Sequence, residues 1–256
     1  MSELIERARE IAAFLGIPES DAVERLSKGF GYQHQAVNDD FRRANPQTDE
    51  ALLNWYRSTE QYIWELAAYH IDPGFNYAGM CAGIAERLKA EGAVNVLCLG
   101  DGIGDLTLSL KESDPNRFDP VYHDLSGSKT AAFALWRIQK VNHSKGRSVL
   151  NVHSILTDGC GPEPIGSAYR ELFSAVVSLD FMEHCVDVPS YVRAVYNVLK
   201  PGGLFCAQNA FAIGSGPDGS IPMHLSINDK YEKEWDPLLF SLGFQQISSN
   251  WYRKPT

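Results

Sequence analysis

The sequence has little positive charge and few cysteines. Its 23 Lys and Arg residues stand against 32 Asp and Glu residues, for a formal net charge of −9. Nucleic acid is therefore disfavoured as a partner, because a phosphate backbone is bound by a broad cationic surface. The cysteines are odd in number and contain no Cys-x-x-Cys pair, which argues against zinc or redox chemistry and fits a reduced compartment. They are Cys81, Cys98, Cys160, Cys185 and Cys206.

Three further absences narrow the class of protein. No apolar stretch approaches the roughly 18 residues of a membrane span. The N-terminal residues are amphipathic and lack the basic start and apolar middle of a signal peptide. No His/Asp cluster has the spacing of metal ligands, so we expect no metal. The sequence thus predicts a cytoplasmic protein without membrane contact, and it predicts no particular oligomeric state.

Residues 1–90 have apolar positions at helical spacing, for example Ile5, Ala8, Ile11 and Ala12. Helix starts are predicted at Ser20 and Thr48, where a hydroxyl accepts a free backbone amide. Breaks are predicted at residues 29–31 and 72–74, and five aromatic residues are assigned to one helix between residues 52 and 69. We expect these 90 residues to form a helical cap over a substrate site.

From Val94 onward, short β-branched runs alternate with helical stretches, as in a parallel sheet covered on both faces. This pattern predicts a doubly wound α/β domain over residues 91–256. Strands are expected near 95–100, 119–123, 148–153, 173–179, 203–209 and 244–249. A short last strand at residues 251–254 is left open.

Three glycines follow the first predicted strand, at Gly100, Gly102 and Gly104. The Gly-x-Gly-x-x-Gly dinucleotide pattern fails in both registers, because its last position holds Asp105 or Thr107. The Gly-Lys-Ser/Thr of a P-loop is absent as well. With carboxylates nearby, the turn suits a ligand that has amino and carboxylate groups and no phosphates.

An acidic residue ends the second predicted strand. Asp124 follows Gly104 by twenty residues, the spacing at which a carboxylate accepts both hydroxyls of a ribose. The alternative is that Asp124 caps the next helix.

Four segments together resemble the class I S-adenosylmethionine-dependent methyltransferases: LCLGDGIGD, VYHDLS, FSAVVSLDFMEHCVDVPSYV and NVLKPGGLF. The resemblance covers about residues 90–210 and implies a Rossmann-like sheet of seven strands. It implies S-adenosylmethionine as cofactor, with the methionine part over the glycine turn, the ribose on Asp124 and the adenine near the end of the third strand. The implied cofactor residues are Gly100, Asp101, Gly102, Gly104, Asp124, Leu125, Ser154, Ile155, Leu179 and Asp180.

The residues after the fourth predicted strand narrow the choice of acceptor. Family members that methylate exocyclic amines of bases usually have a Pro-Pro-aromatic motif there, whereas this chain has Leu179-Asp180-Phe181. The sequence therefore favours O-, N- or C-methylation of a small molecule. The alternatives are a protein or nucleic-acid methyltransferase and a cofactor-binding sensor without turnover.

Candidate acceptor-side residues come from the cap and the loops. His184 is the candidate general base, since imidazole titrates near working pH, although a role in fixing its loop is equally open. Candidate substrate-binding residues are Tyr32, His34, Tyr56, Asn209 and His224.

Overall fold

The computed structural model describes the chain except residues 1, 145–152, 158–161, 163–164, 166–168 and 216–218. The strands are β1 (Asn95–Leu99), β2 (Asp119–Leu125), β3 (His153–Thr157), β4 (Phe173–Leu179), β5 (Leu199–Gln208), β6 (Gln245–Ser248) and β7 (Trp251–Arg253). The helices are α1 (Ser2–Leu15), α2 (Glu19–Leu26), α3 (Gly29–Ala44), α4 (Asp49–Ser58), α5 (Gln61–Ile71), α6 (Tyr77–Ala90), α7 (Asp105–Ser113), α8 (Lys129–Ser144), α9 (Val188–Val198) and α10 (Tyr231–Ser241).

The seven strands form one sheet in the order β3-β2-β1-β4-β5-β7-β6. The first five strands are parallel, and β7 pairs antiparallel with both β5 and β6. The order reverses between β1 and β4, which is where a doubly wound sheet opens a crevice for ligands. The predicted fold class is confirmed, and the final hairpin left open by the sequence is present.

Six helices precede β1, and they pack in two ways. Ile11, Ile63 and Trp64 belong to one buried cluster, which also takes in Phe133 of α8. Helix α6 packs instead on the sheet, where Leu88 shares a buried cluster with Val96 of β1. The division of the chain at residue 90 stays a prediction. In the described part of the chain, no helix is long and apolar enough to cross a membrane.

Several predicted helix boundaries in the N-terminal region were wrong. Ser20 lies inside α2, whose N-cap is Pro18, and residues 29–31 form the first turn of α3. The predicted aromatic helix is two helices, because Thr59 has an extended backbone with ψ of 135° and ends α4. The prediction at Thr48 is confirmed, since its hydroxyl accepts the backbone amide of Ala51 at 3.2 Å.

The third strand lies later in the chain than predicted. Residues 148–152 lie outside the described residues, and β3 runs from His153 to Thr157. Parallel pairing with β2 sets this position, because Val121 is opposite His153 and Leu125 is opposite Thr157. The end of β3 is therefore at Thr157.

A buried group of charged residues joins four helices beside the glycine turn. Asp105, the first residue of α7, accepts from Arg7 of α1 at 2.9 Å and from Arg137 of α8 at 2.7 Å. Its second carboxylate oxygen is 2.6 Å from Nδ1 of His70 in α5. Burial alone would raise the pKa of Asp105, but the two guanidinium groups hold it well below its usual range. Asp105 thus joins α1, α5 and α8 to the start of α7.

Candidate active site

A cavity lies at the carboxyl ends of the central strands, under helices α4 and α5. Its empty volume is about 1230 Å³, a figure that includes space open to solvent. Seven of the predicted cofactor residues line it: Gly100, Asp101, Gly102, Asp124, Leu125, Leu179 and Asp180.

The glycine turn is shaped by two close contacts. Gly100 and Gly102 have φ values of 69° and 50°, in the left-handed region that favours glycine. A Cβ on Gly100 would overlap the Phe181 ring, and one on Gly102 would overlap Leu66 of α5. Any ligand bound over this turn would therefore lie against Leu66 and Phe181.

Asp101 stabilises the start of α7. Its carboxylate accepts the backbone amides of Leu106 at 3.1 Å and Thr107 at 2.8 Å. Burial nevertheless raises its pKa to about 7. A cationic group of a ligand in the cavity would favour the ionised form of this side chain.

Asp124 lies at the end of β2 and lines the same cavity. Its Oδ1 accepts the amide of Leu125 at 2.6 Å, and burial raises its pKa to about 6. The alternative capping role does not describe its contacts, since Ser128 caps α8 instead and accepts the amide of Ala131 at 3.0 Å. An ionised carboxylate has about four lone-pair sites, so Asp124 retains the capacity to accept ligand hydroxyls.

Three of the predicted cofactor residues do not line the cavity. Ser154 and Ile155 are the second and third residues of β3, before its carboxyl end at Thr157. Thr157, the last residue of β3, lines the cavity instead. Gly104 is buried against Ala134 of α8. The sequence missed Thr157 because the end of β3 depends on its pairing with β2.

The far side of the cavity is formed by aromatic residues of the helical region. Tyr56, Tyr62 and Tyr69 line it, as does Phe181 after β4. The hydroxyl of Tyr69 lies 3.4 Å from Oδ2 of Asp180, a non-glycine residue with φ of 48°. Left-handed backbone at such a residue is uncommon and concentrates at functional sites.

His184 lines the cavity on the same side as Tyr56. Its Nδ1 is 3.1 Å from the Tyr56 hydroxyl and 3.3 Å from the Met223 carbonyl oxygen. Burial, together with the neighbouring His224, lowers the pKa of His184 to about 3. A neutral imidazole with so low a pKa is a poor proton acceptor near neutral pH, which argues against the base role.

Of the five predicted substrate-binding residues, Tyr56 alone lines the cavity. The other four lie in different parts of the structure. Tyr32 is 51% exposed, with Lys28 over its ring. His34 lies in a pair with Glu65, whose Oε1 is 2.6 Å from its Nδ1. Both amide atoms of Asn209 are buried and lack a hydrogen-bond partner in the described part of the chain.

His224 is buried and lies against His184, with the two ring centroids 4.8 Å apart. Together with Glu183 these side chains each offer one ligand atom, and the atoms all lie within 4.8 Å of one another. No pattern in the sequence indicated this group, because His224 follows His184 by forty residues.

Comparison with known proteins identifies the fold of this chain. No protein-family model and no curated protein sequence matches this chain. Solved structures do match. An O-methyltransferase family protein from Burkholderia thailandensis superposes with a TM-score of 0.60 at 12% identity, over 97% of this chain and 88% of that one. The chain has the fold of the class I S-adenosylmethionine-dependent methyltransferases.

A second structure with this methyltransferase fold is the Haemonchus contortus phosphoethanolamine N-methyltransferase 2 in complex with S-adenosyl-L-methionine. It matches with a TM-score of 0.51 at 21% identity, over 82% of this chain and 44% of that one. At such identities the likeness extends to the fold alone, so the chemistry of the site depends on the residues of this chain.

Proposed function

We propose that this protein is a methyltransferase that uses S-adenosylmethionine to methylate a small molecule. The observation that carries the proposal is the joint placement of the glycine turn and Asp124 on adjacent strand ends, in one cavity. When bound, S-adenosylmethionine supplies a methyl group on a positively charged sulfur, which a nucleophile displaces in line.

The residues present fit this cofactor. The carboxylate of Asp124 can accept ribose hydroxyls in addition to the amide of Leu125. Asp101 lines the cavity beside Gly100 and Gly102, and its carboxylate suits an ammonium group. Thr157 and Leu125 lie on neighbouring strand ends and are proposed to border the adenine.

The helical region supplies the acceptor side. Tyr56, Tyr62 and Leu66 cover the cavity from α4 and α5, where they exclude water and hold two reactants in contact. Alignment of this kind contributes up to about 7–11 kcal/mol to lowering a barrier. His184 contacts the acceptor with a neutral ring and does not remove a proton.

A small acceptor is favoured over a macromolecule. The cavity is covered by aromatic side chains and lined by few charged groups, and the chain carries a net charge of −9. Such a site suits a partly apolar metabolite better than a phosphate backbone or a basic protein tail.

Calorimetry tests the cofactor assignment. S-adenosylmethionine is expected to bind the unmodified chain, and Asp124→Ala is expected to weaken binding about 10- to 100-fold through lost hydrogen bonds. Asp119→Ala is the matched control, since Asp119 lies at the opposite end of the same strand. Unchanged affinity in Asp124→Ala would remove this residue from the site.

Turnover tests the activity. Release of S-adenosylhomocysteine is measured with a broad panel of small hydroxyl, amine and acidic-carbon compounds. Methyl transfer to one of them supports the proposal. Tight cofactor binding with no transfer to any compound would favour a cofactor-binding sensor instead.

A further inference from the structure

We propose that Glu183, His184 and His224 form a binding site for a divalent transition-metal ion, at the acceptor side of the cavity. Glu183 and His184 belong to the 3₁₀ turn after β4, and His224 comes from the loop that precedes α10. Their ligand atoms lie within 4.8 Å of one another. Ligand bonds of about 2.0–2.1 Å place the ligand atoms of a tetrahedral metal about 3.3 Å apart, so the three side chains would have to move closer together to bind an ion.

A backbone carbonyl oxygen lies beside one ring nitrogen of each histidine. Nδ1 of His184 faces the carbonyl oxygen of Met223 at 3.3 Å, and Nδ1 of His224 faces the carbonyl oxygen of Ile213 at 3.1 Å. A carbonyl accepts only, so the contact of His224 requires the proton on its Nδ1 and leaves the lone pair on Nε2. Nδ1 of His184 also lies 3.1 Å from the Tyr56 hydroxyl, which can donate or accept, so the contact with Met223 favours the same form without fixing it. Such backbone partners are the usual outer support of metal-binding histidines.

The carboxylate provides the second, independent observation. Glu183 is 0% exposed, and its Oε1 accepts the amide of Ala210 at 2.9 Å. Its Oε2 is buried and has no hydrogen-bond partner within the described residues, where no Lys or Arg pairs with Glu183 either. A buried unpaired carboxylate oxygen is costly, and a bound cation would remove that cost.

The chemical nature of the three ligands indicates which metal ions would bind. Two imidazoles and one carboxylate favour Zn²⁺, Co²⁺ or Fe²⁺ over Mg²⁺ and Ca²⁺, which prefer oxygen ligands. Three protein ligands leave a coordination position open. Since His184 also lines the cavity, that position is proposed to take an oxygen of the methyl acceptor, a role that rests on the proposed function.

Metal binding is measured on the full chain without cofactor, so its outcome is separate from that of the methyltransferase proposal. Protein freed of metal by a chelator is titrated with Co²⁺, followed by visible absorbance, and with Zn²⁺, followed by calorimetry. About one equivalent of either ion is expected to bind. Failure to bind either ion would overturn the site.

Two variants test the proposed ligands, and a third serves as a control. Glu183→Gln and His224→Gln are each expected to weaken Co²⁺ affinity at least tenfold. His153→Gln is the matched control, because His153 is an exposed histidine at the start of β3, and it is expected to bind like the unmodified protein. Circular dichroism checks that each variant is folded. Folded Glu183 and His224 variants with unchanged Co²⁺ affinity, or loss of binding in His153→Gln, would place the ion elsewhere and overturn the proposal.

Discussion

The hydroxyl oxygen of Tyr56 lies 3.1 Å from Nδ1 of His184, which links helix α4 directly to the turn after β4. The same hydroxyl lies 3.4 Å from the carbonyl oxygen of Met223. One tyrosine thus connects the helical region, the turn after β4 and the segment before α10.

Replacing Tyr56 by Phe removes the hydroxyl and keeps the ring. We expect kcat to fall several-fold because His184 loses one of its two partners, while the Kd for S-adenosylmethionine stays unchanged. Loss of one hydrogen bond lowers the free energy of unfolding by about 1 kcal/mol. Tyr32→Phe, at an exposed tyrosine, is the control and should alter neither quantity. An unchanged kcat in Tyr56→Phe would show that the contact does not position His184.

The carboxyl group of Asp124 makes the stability of the folded chain depend on pH. Burial raises its pKa to about 6 in the folded chain from an ordinary 3.8, so its contribution to stability is present at pH 3 and is lost as the pH rises to 6 and beyond. Asp124→Asn cannot ionise, and we expect its Tm without cofactor to exceed that of the unmodified protein at pH 8. The two should converge at pH 4. Calorimetric melting at both pH values checks this, and an equal Tm difference at both would contradict it.

The charged group around Asp105 predicts a stability that changes with pH in the opposite direction. Since Arg137 and Arg7 hold the pKa of Asp105 well below its usual range, the stabilisation is present above pH 4 and is lost as the pH falls further. Arg137→Met breaks a buried pair and should lower the free energy of unfolding by about 3–5 kcal/mol at pH 7. Urea unfolding at pH 7 and pH 3 measures the difference.

The control for this experiment is Arg9→Met. Arg9 pairs with Glu19 on the surface of the helical region, where ion pairs contribute little. Its urea midpoint should match that of the unmodified protein. If Arg137→Met were equally mild, the buried pair would not be what joins α8 to α7.

The close approach of Leu66 to Gly102 predicts that a second substitution restores stability. Gly102→Ala meets the Leu66 side chain and also adopts a φ of 50°, whereas Gly92→Ala adopts a φ of 74° with no atom within 4 Å. The backbone cost of about 1–2 kcal/mol is common to both. We expect Gly102→Ala to be the less stable variant and to lose cofactor affinity. Leu66→Ala added to Gly102→Ala should recover part of the stability, and no recovery would refute the clash.

The sequence was informative where function is carried by local chain segments. Gly100 and Gly102 follow β1 directly, and Asp124 ends the neighbouring strand, so strand order alone brings them to one cavity. The expected adenine residues were misplaced because the end of β3 is set by its pairing with β2. Local patterns contain no information on that register.

The acceptor side was harder to predict for a related reason. His184 and His224 meet only because the loop before α10 folds back over the turn after β4, where the amide of Leu225 donates to the Glu183 carbonyl at 3.1 Å. Similarly, the division of the aromatic helix at Thr59 places Tyr56 and Tyr62 on two helices, with their rings stacked 5.7 Å apart. Contacts of this kind arise from tertiary packing and leave no periodic signal in the chain.

The position of Arg7 affects how this protein could be shortened. Helix α1 is distant in sequence from the residues that line the cavity, yet the guanidinium of Arg7 contacts Asp105, the first residue of α7. Deleting the first turns of the chain would leave Asp105 with one guanidinium fewer, one residue away from Gly104. A minimal catalytic fragment should therefore keep its N-terminal helix, even though that helix contributes no side chain to the cavity wall.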